Sequence, residues 1–216
     1  MIPKFATESD LCAAFIKYQT AQGFTAYAET AGFDILLVRD GIQWGVQAKL
    51  TLNTKVLCQL LPEFEEVGPD HRVILVPDSR GLGRLCTALG FNLQYPLHWG
   101  STCTFGDLSA CFDWNPVSRC PLPEYIPDVA AGVSGPVQLT KWKIGALRIV
   151  AHLFTHGGIT RNDIKRLGCD PTRWCQHWLQ PHHDRRGVYV IGSKMPRFDA
   201  QHPEVFAQIM AERRAT

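Results

Sequence analysis

Two apolar, β-rich runs separated by a turn signal constrain this chain more than any other feature. Residues 33–38 (Phe-Asp-Ile-Leu-Leu-Val) form the first run, Arg39-Asp40-Gly41 marks a turn, and residues 43–50 resume as a strand. That order predicts a β-hairpin. Side chains alternate between the faces of a strand. Val46, Ala48 and Leu50 are therefore expected to face a core, and Gln47 and Lys49 to share the other face.

The flanking residues read as mixed α/β. Residues 8–22 carry apolar positions at Leu11, Phe15, Ile16 and Tyr18, a helical stripe stopped by Gly23. Residues 25–29 read as a short strand. Residues 54–61 read as a helix, with Asn53 or Thr54 available as a cap and Pro62 at its end. Further along, residues 72–77 (Arg-Val-Ile-Leu-Val-Pro) suit a buried strand, 80–89 a helix and 91–95 another strand. From Pro96 to Gly135 the pattern weakens. Prolines at 116, 121, 123, 127 and 136, with Gly132 and Gly135, read as a long and mostly extended connection. This divides the chain into residues 1–95, an extension and linker over 96–136, and a second domain over 137–216. A length of 216 residues suits two small domains.

The second segment reads as a helix over 142–154, a break at Gly157-Gly158, and a short helix from Thr160 to Leu167. A third helix runs from Pro171 to Leu179 behind the Asp170 cap, and residues 187–192 read as a strand. Helix, short helix, turn, helix and strand is the order of a winged helix-turn-helix. On the third helix, Thr172, Arg173, Gln176 and His177 are expected to face outward, and Trp174, Trp178 and Leu179 inward. Arg173 or Gln176 would reach base edges. Arg185 and Arg186, before the wing strand, and Lys194 and Arg197, after it, are positioned for phosphates.

Charge separates the same two segments. Residues 1–136 hold 9 Lys and Arg against 14 Asp and Glu, a net −5, whereas residues 137–216 hold 13 against 6, a net +7. Six of the eight histidines also fall in the second part. An acidic front joined to a basic back suits a carboxylate-bearing site beside a surface that attracts phosphate.

Several classes are excluded. Hydrophobic residues at 45% and charged residues at 19% argue against a disordered or collagen-like chain. No apolar run approaches the ~20 residues of a membrane span, and residues 1–5 lack a signal-peptide core. A cytoplasmic location and no membrane partner are the expectation. Eight cysteines are then expected as free thiols. Cys103, Cys111, Cys120 and His98 lack the close pairs of structural zinc. His182 and His183, as neighbours on a strand, would point apart. No cysteine has the context of a nucleophile.

The chemistry concentrates on the hairpin, which gathers a carboxylate (Asp34), an amide (Gln47) and an ammonium (Lys49). Phosphodiester hydrolysis needs such a set. Oxygen ligands hold Mg²⁺ against the phosphate, and a lysine positions or deprotonates water and stabilises developing charge. Asp34 followed by Gln47-Ala48-Lys49 on the next strand, with a helix before and a helix after, resembles the PD-(D/E)XK nuclease superfamily. Gln47 in place of the usual second acid resembles the variant found in Mrr-type restriction endonucleases.

The resemblance covers about residues 8–95 and implies an α/β (α+β) fold, a restriction-endonuclease-like mixed sheet flanked by helices, joined here to a winged-helix-like domain. It implies Asp34 as principal metal ligand, Gln47 ligating through its side-chain oxygen, the Ala48 carbonyl facing the metal, and Lys49 as catalytic lysine. It further implies a first-helix acid (Glu8, with Asp10 in reserve), a polar contact from Gln59, and Glu29 as a second-metal or water-orienting acid. The function expected is a Mg²⁺-dependent DNA endonuclease, with Mn²⁺ able to substitute. A homodimer suits the cutting of duplex DNA. The alternative is a catalytically inactive nuclease-fold protein, a DNA-binding or inhibitor protein of a phage or defence system. A third and remoter reading is a regulator whose α/β part senses a small ligand, although no Gly-rich phosphate loop suggests one.

Overall fold

The computed structural model describes residues 4–61, 67–78, 83–96, 112–133, 135 and 138–215. They form two compact units that divide between Pro136 and Val137, and the fold is mixed α and β in class. Among the described residues, no helix is long and apolar enough to cross a membrane.

The first unit begins with α1 (Glu8–Ala21), started by a capping box in which Thr7 and Asp10 satisfy each other's backbone amides. Then come β1 (Thr25–Thr30), β2 (Phe33–Arg39), β3 (Ile42–Ala48) and α2 (Thr54–Leu60), followed by β4 (Val67–Gly68), β5 (His71–Leu75), α3 (Gly83–Ala88) and β6 (Asn92–Gln94). The five-stranded sheet has the order β1-β2-β3-β5-β6. β1, β2 and β3 form an antiparallel meander, and β5 and β6 run parallel to β3. The β2–β3 turn is Asp40-Gly41, with φ of 52° and 77°. Two successive positive φ values make the primed turn that matches strand twist, and this fixes the register of everything that follows.

Alternation along the strands builds two cores. Ile35, Leu37, Trp44, Val46, Ala48, Val73 and Leu75 meet Leu11, Cys12 and Phe15 of α1 on one face. Ile74 and Val76 meet Leu57 and Leu60 of α2 and Cys86 of α3 on the other. β5 is buried along its whole length, as a parallel strand covered on both faces should be. Leu50, expected in the core, is 38% exposed because β3 ends at Ala48 and the chain turns away.

Residues 96–136 were expected to be a connection, yet the described part, 112–133, is built into the first unit. β7 (Ser118–Arg119) pairs with β4. Buried Gln43 donates to the Cys120 carbonyl and accepts from the Cys120 amide, both at 2.9 Å. Arg119 Nε sits 2.9 and 2.8 Å from the two Asp70 oxygens. Prolines prevent a regular ladder here, so side chains hold the segment in place.

The second unit comprises α4 (Lys141–His156), β8 (Ile159–Thr160), α5 (Arg161–Arg166), α6 (Pro171–Arg173), β9 (Leu179–Pro181), β10 (Val188–Ile191), α7 (Phe198–Gln201) and α8 (Pro203–Ala215). Its antiparallel sheet has the order β8-β10-β9. The expected continuous third helix stops after one turn and passes into a π-helical turn, Trp174–Trp178. That turn packs Trp174 and Trp178 edge-on with ring centroids 5.0 Å apart, both against Phe198. His182 and His183 do not point apart on a strand. They lie in the turn between β9 and β10 with rings stacked at 4.8 Å.

α5 starts with a second capping box, between Thr160 and Asp163. Hydrogen bonding from the Thr160 hydroxyl, opposed by desolvation and aided by Arg166, holds the Asp163 carboxyl down to about 2. A carboxyl depressed on folding adds stability above its ordinary pKa near 3.8, and that stability is lost as pH falls toward 2. Asp163→Ala is expected to cost about 1 kcal/mol at neutral pH, as helix caps usually do. It should also flatten the pH dependence of urea unfolding between pH 4 and 2.

Candidate functional site

The hairpin register decides which polar groups meet. Ile35 pairs with Val46, so Asp34 at the start of β2 and Gln47 at the end of β3 stand opposite each other. Gln47 Nε2 donates to Asp34 Oδ2 at 2.5 Å, and the Ala48 amide donates to the same oxygen at 2.7 Å. Among the described residues, Asp34 Oδ1 takes no donor. With its nitrogen committed to Asp34, the Gln47 amide presents Oε1 as its remaining acceptor. The chain leaves β3 at Lys49, whose amide donates to the Leu75 carbonyl at 2.9 Å. The Lys49 ammonium reaches the Glu8 carboxylate at the start of α1, 2.7 Å away. Both side chains are half-buried.

Electrostatics ties these groups into one cluster. Burial raises the Asp34 carboxyl above its ordinary value, while the Ala48 amide and the Lys49 charge pull it down and Glu8 pushes it up. Burial likewise raises Glu29, opposed by the Gly132 amide, and Asp34 raises it further. Cys12 lies beneath the cluster in the α1 core. Burial, followed by the charges of Asp34, Glu29 and Glu8, pushes its thiol up to about 12 against the opposing pull of Lys49. One buried thiol thus senses all four charged side chains. A thiol held at that value has almost no thiolate to react. Iodoacetamide at pH 8 is therefore expected to modify exposed Cys58 and spare Cys12 in the folded chain, which peptide mapping by mass spectrometry will read.

The donor set suits a hard cation. Asp34 Oδ1, Gln47 Oε1 and the nearby carboxylates are all oxygen donors, and Mg²⁺ is commonly held by one or two carboxylates with water completing its shell. Among the described residues, no histidine or free thiolate competes here for a softer ion.

Of the sequence candidates, Glu8, Asp34, Gln47, Ala48 and Lys49 converge through the contacts above, and Asp10 serves the α1 cap instead. Glu29 faces the edge of the cluster but spends its carboxylate on the Gly132 amide at 2.8 Å. Gln59 falls on α2, and its side chain lies outside the described residues, as do Cys103, Cys111 and His98. Sequence reading missed Cys12 and Gly132. Cys12, four residues along α1 from Glu8, had a helical-spacing signal; Gly132 had none.

In the second unit, Thr172, Arg173, Gln176 and His177 are exposed, as are Arg185, Arg186 and Lys194. The Arg173 guanidinium lies 4.9 Å from the Trp178 ring centre and 5.8 Å from that of Trp142. These two rings, which meet edge to face, fix where it can point. In the His182-His183-Asp184 turn, potential ligand atoms lie within 4.8 Å of one another. However, His182 Nδ1 already accepts from the Asp184 and Arg185 amides. His183 Nε2 is 2.6 Å from Asp184. The turn is satisfied as a turn.

No family model matches the chain, and neither a curated protein nor a solved structure matches it.

Proposed function

We propose that the protein is a metal-dependent DNA endonuclease whose first unit hydrolyses phosphodiester bonds and whose second unit binds DNA. The observation that carries this reading is the convergence at one sheet end of Asp34, Gln47 and the Glu8–Lys49 pair. The PD-(D/E)XK resemblance asks for an acid on one strand and Gln-Ala-Lys ending the next, with helices before and after. Asp34 on β2, residues 47–49 at the end of β3, and α1 and α2 on either side agree with it. The helix, strand, helix, helix, strand, strand order of the second unit agrees with a winged helix.

In this reading Asp34, Gln47 and the Ala48 carbonyl hold Mg²⁺ or Mn²⁺. The ion supplies charge to the scissile phosphate. Asp34 is prepared for this by its two donors, which fix its rotamer. Lys49 orients the attacking water and offers its ammonium to the charge that develops on the phosphoryl oxygens. Glu8 keeps that ammonium at the mouth of the site. Arg185, Arg186 and Lys194 contact backbone phosphate, and Arg173 and Gln176 face the bases.

The test is incubation of the full chain with supercoiled plasmid and with single-stranded DNA, with and without Mn²⁺, beside Asp34→Ala. Cleavage that needs both Mn²⁺ and Asp34 supports the reading. DNA binding without cleavage or any Asp34-dependent ion would leave the inactive, DNA-binding alternative.

A further inference from the structure

Glu29 occupies a conformation that its strand does not require. In the β1–β2 register Ala28 pairs with Ile35 and Thr30 with Phe33, so Glu29 stands across from Asp34. Two carboxylates directly opposite repel. The Glu29 backbone has φ 48°, a left-handed and strained value that non-glycine residues rarely adopt. Such strain persists where surrounding contacts enforce it. Here the contact is a strap over residues 129–133: Glu29 Oε1 accepts the Gly132 amide at 2.8 Å.

The strap in turn rests on α1. Val129 and buried Ala131 join the α1 core. Gly132, at φ 70°, comes so close to α1 that a Cβ there would lie 2.9 Å from Cys12 Sγ and 3.1 Å from the Glu8 carbonyl carbon. Only glycine fits both the angle and the gap. The residue beneath it, Glu8, is the one that grips the Lys49 ammonium at 2.7 Å.

We infer that Glu29 is a positioning residue rather than a metal ligand: its carboxylate fastens the 129–133 strap onto the first turn of α1 and so fixes the Glu8 carboxylate that aims Lys49. The inference rests on the proposed nuclease only for the role of Lys49. The strap itself is independent of that role.

The experiment compares the full chain with Glu29→Gln and Glu29→Ala. Glutamine keeps an acceptor oxygen at the same reach and loses the negative charge that strengthens a carboxylate's hold on a divalent ion, whereas alanine loses both. Amide hydrogen exchange at Gly132 should accelerate at least about tenfold in Glu29→Ala and stay close to the parent in Glu29→Gln. Mn²⁺ affinity in Glu29→Gln should remain within about twofold of the parent. Cleavage by Glu29→Ala should lose kcat with little change in KM for DNA, and Glu29→Gln should restore most of it. Loss of Mn²⁺ affinity in Glu29→Gln as deep as in Asp34→Ala would make Glu29 a ligand and overturn the inference, as would unchanged exchange in Glu29→Ala. If Glu29→Ala does not fold, exchange and Mn²⁺ affinity in Glu29→Gln decide alone. A parent chain that neither binds Mn²⁺ nor cleaves would sink the nuclease reading, and the exchange result would still decide the strap.

Discussion

Lys49→Ala is expected to abolish metal-dependent cleavage, lowering kcat by about 10²–10⁴-fold, the range associated with losing a positioned proton-transfer or charge-stabilising group. The fold should survive. Lys49 lies just past the end of β3, its side chain is half-buried, and its ion pair with Glu8 is of a kind worth about 0–1 kcal/mol. DNA affinity should also survive, because Arg173, Gln176, Arg185, Arg186 and Lys194 are untouched. A side effect has a fixed sign. The Lys49 charge lowers the Asp34 carboxyl, so its removal raises that carboxyl further above the ordinary range. Metal binding by Lys49→Ala should therefore need a higher pH than in the parent. Steady-state cleavage and Mn²⁺ titrations across pH check both statements, and parent-like cleavage by the variant would remove the proposed mechanism.

Trp44→Ala should have the largest effect on stability, about 3–5 kcal/mol, as expected for truncating a buried aromatic. Trp44 is 1% exposed on β3, the strand bonded on both sides, and it meets Phe24 edge-on at 5.1 Å. Domains are typically stable by only about 5–15 kcal/mol, so the first unit would lose much of its margin. Trp44 belongs to a core built from residues of the first unit, so the loss should be confined to that unit. Hydrogen exchange read by mass spectrometry should show lost protection in β1 to β6 and retained protection in α4 and α5. Equal loss in both units would contradict the division at 136 and 137.

What could be read from sequence follows the range of the interaction. Strands 33–39 and 42–48 were legible because alternation records which face is buried, and Asp40-Gly41 sets the turn. Register then places Asp34 opposite Gln47 with no further information. The caps at Asn53, Thr160 and Asp170 were legible because each is settled within three residues.

Contacts that depend on distant residues were not legible. Nothing near Gln43 announces that its amide will pair with Cys120, and nothing near Glu29 announces Gly132, more than a hundred residues away. The proline-rich stretch read as a connection because its order comes from side-chain contacts instead of a periodic pattern. The third helix of the second unit read as continuous because spacing cannot distinguish an α turn from the π turn at Trp174–Trp178. α7 and α8 went unread although Pro203 opens α8 with a helix-start signal.

The central claim is that Asp34 and Gln47 gather oxygen ligands for a divalent ion within reach of Lys49. Titrating the full chain with Mn²⁺ and following free ion by electron paramagnetic resonance tests it most directly. A saturable site in the parent that disappears in Asp34→Ala, with both proteins folded, is the expected result. The same binding curve for both proteins, or no saturable site in the parent, would contradict it.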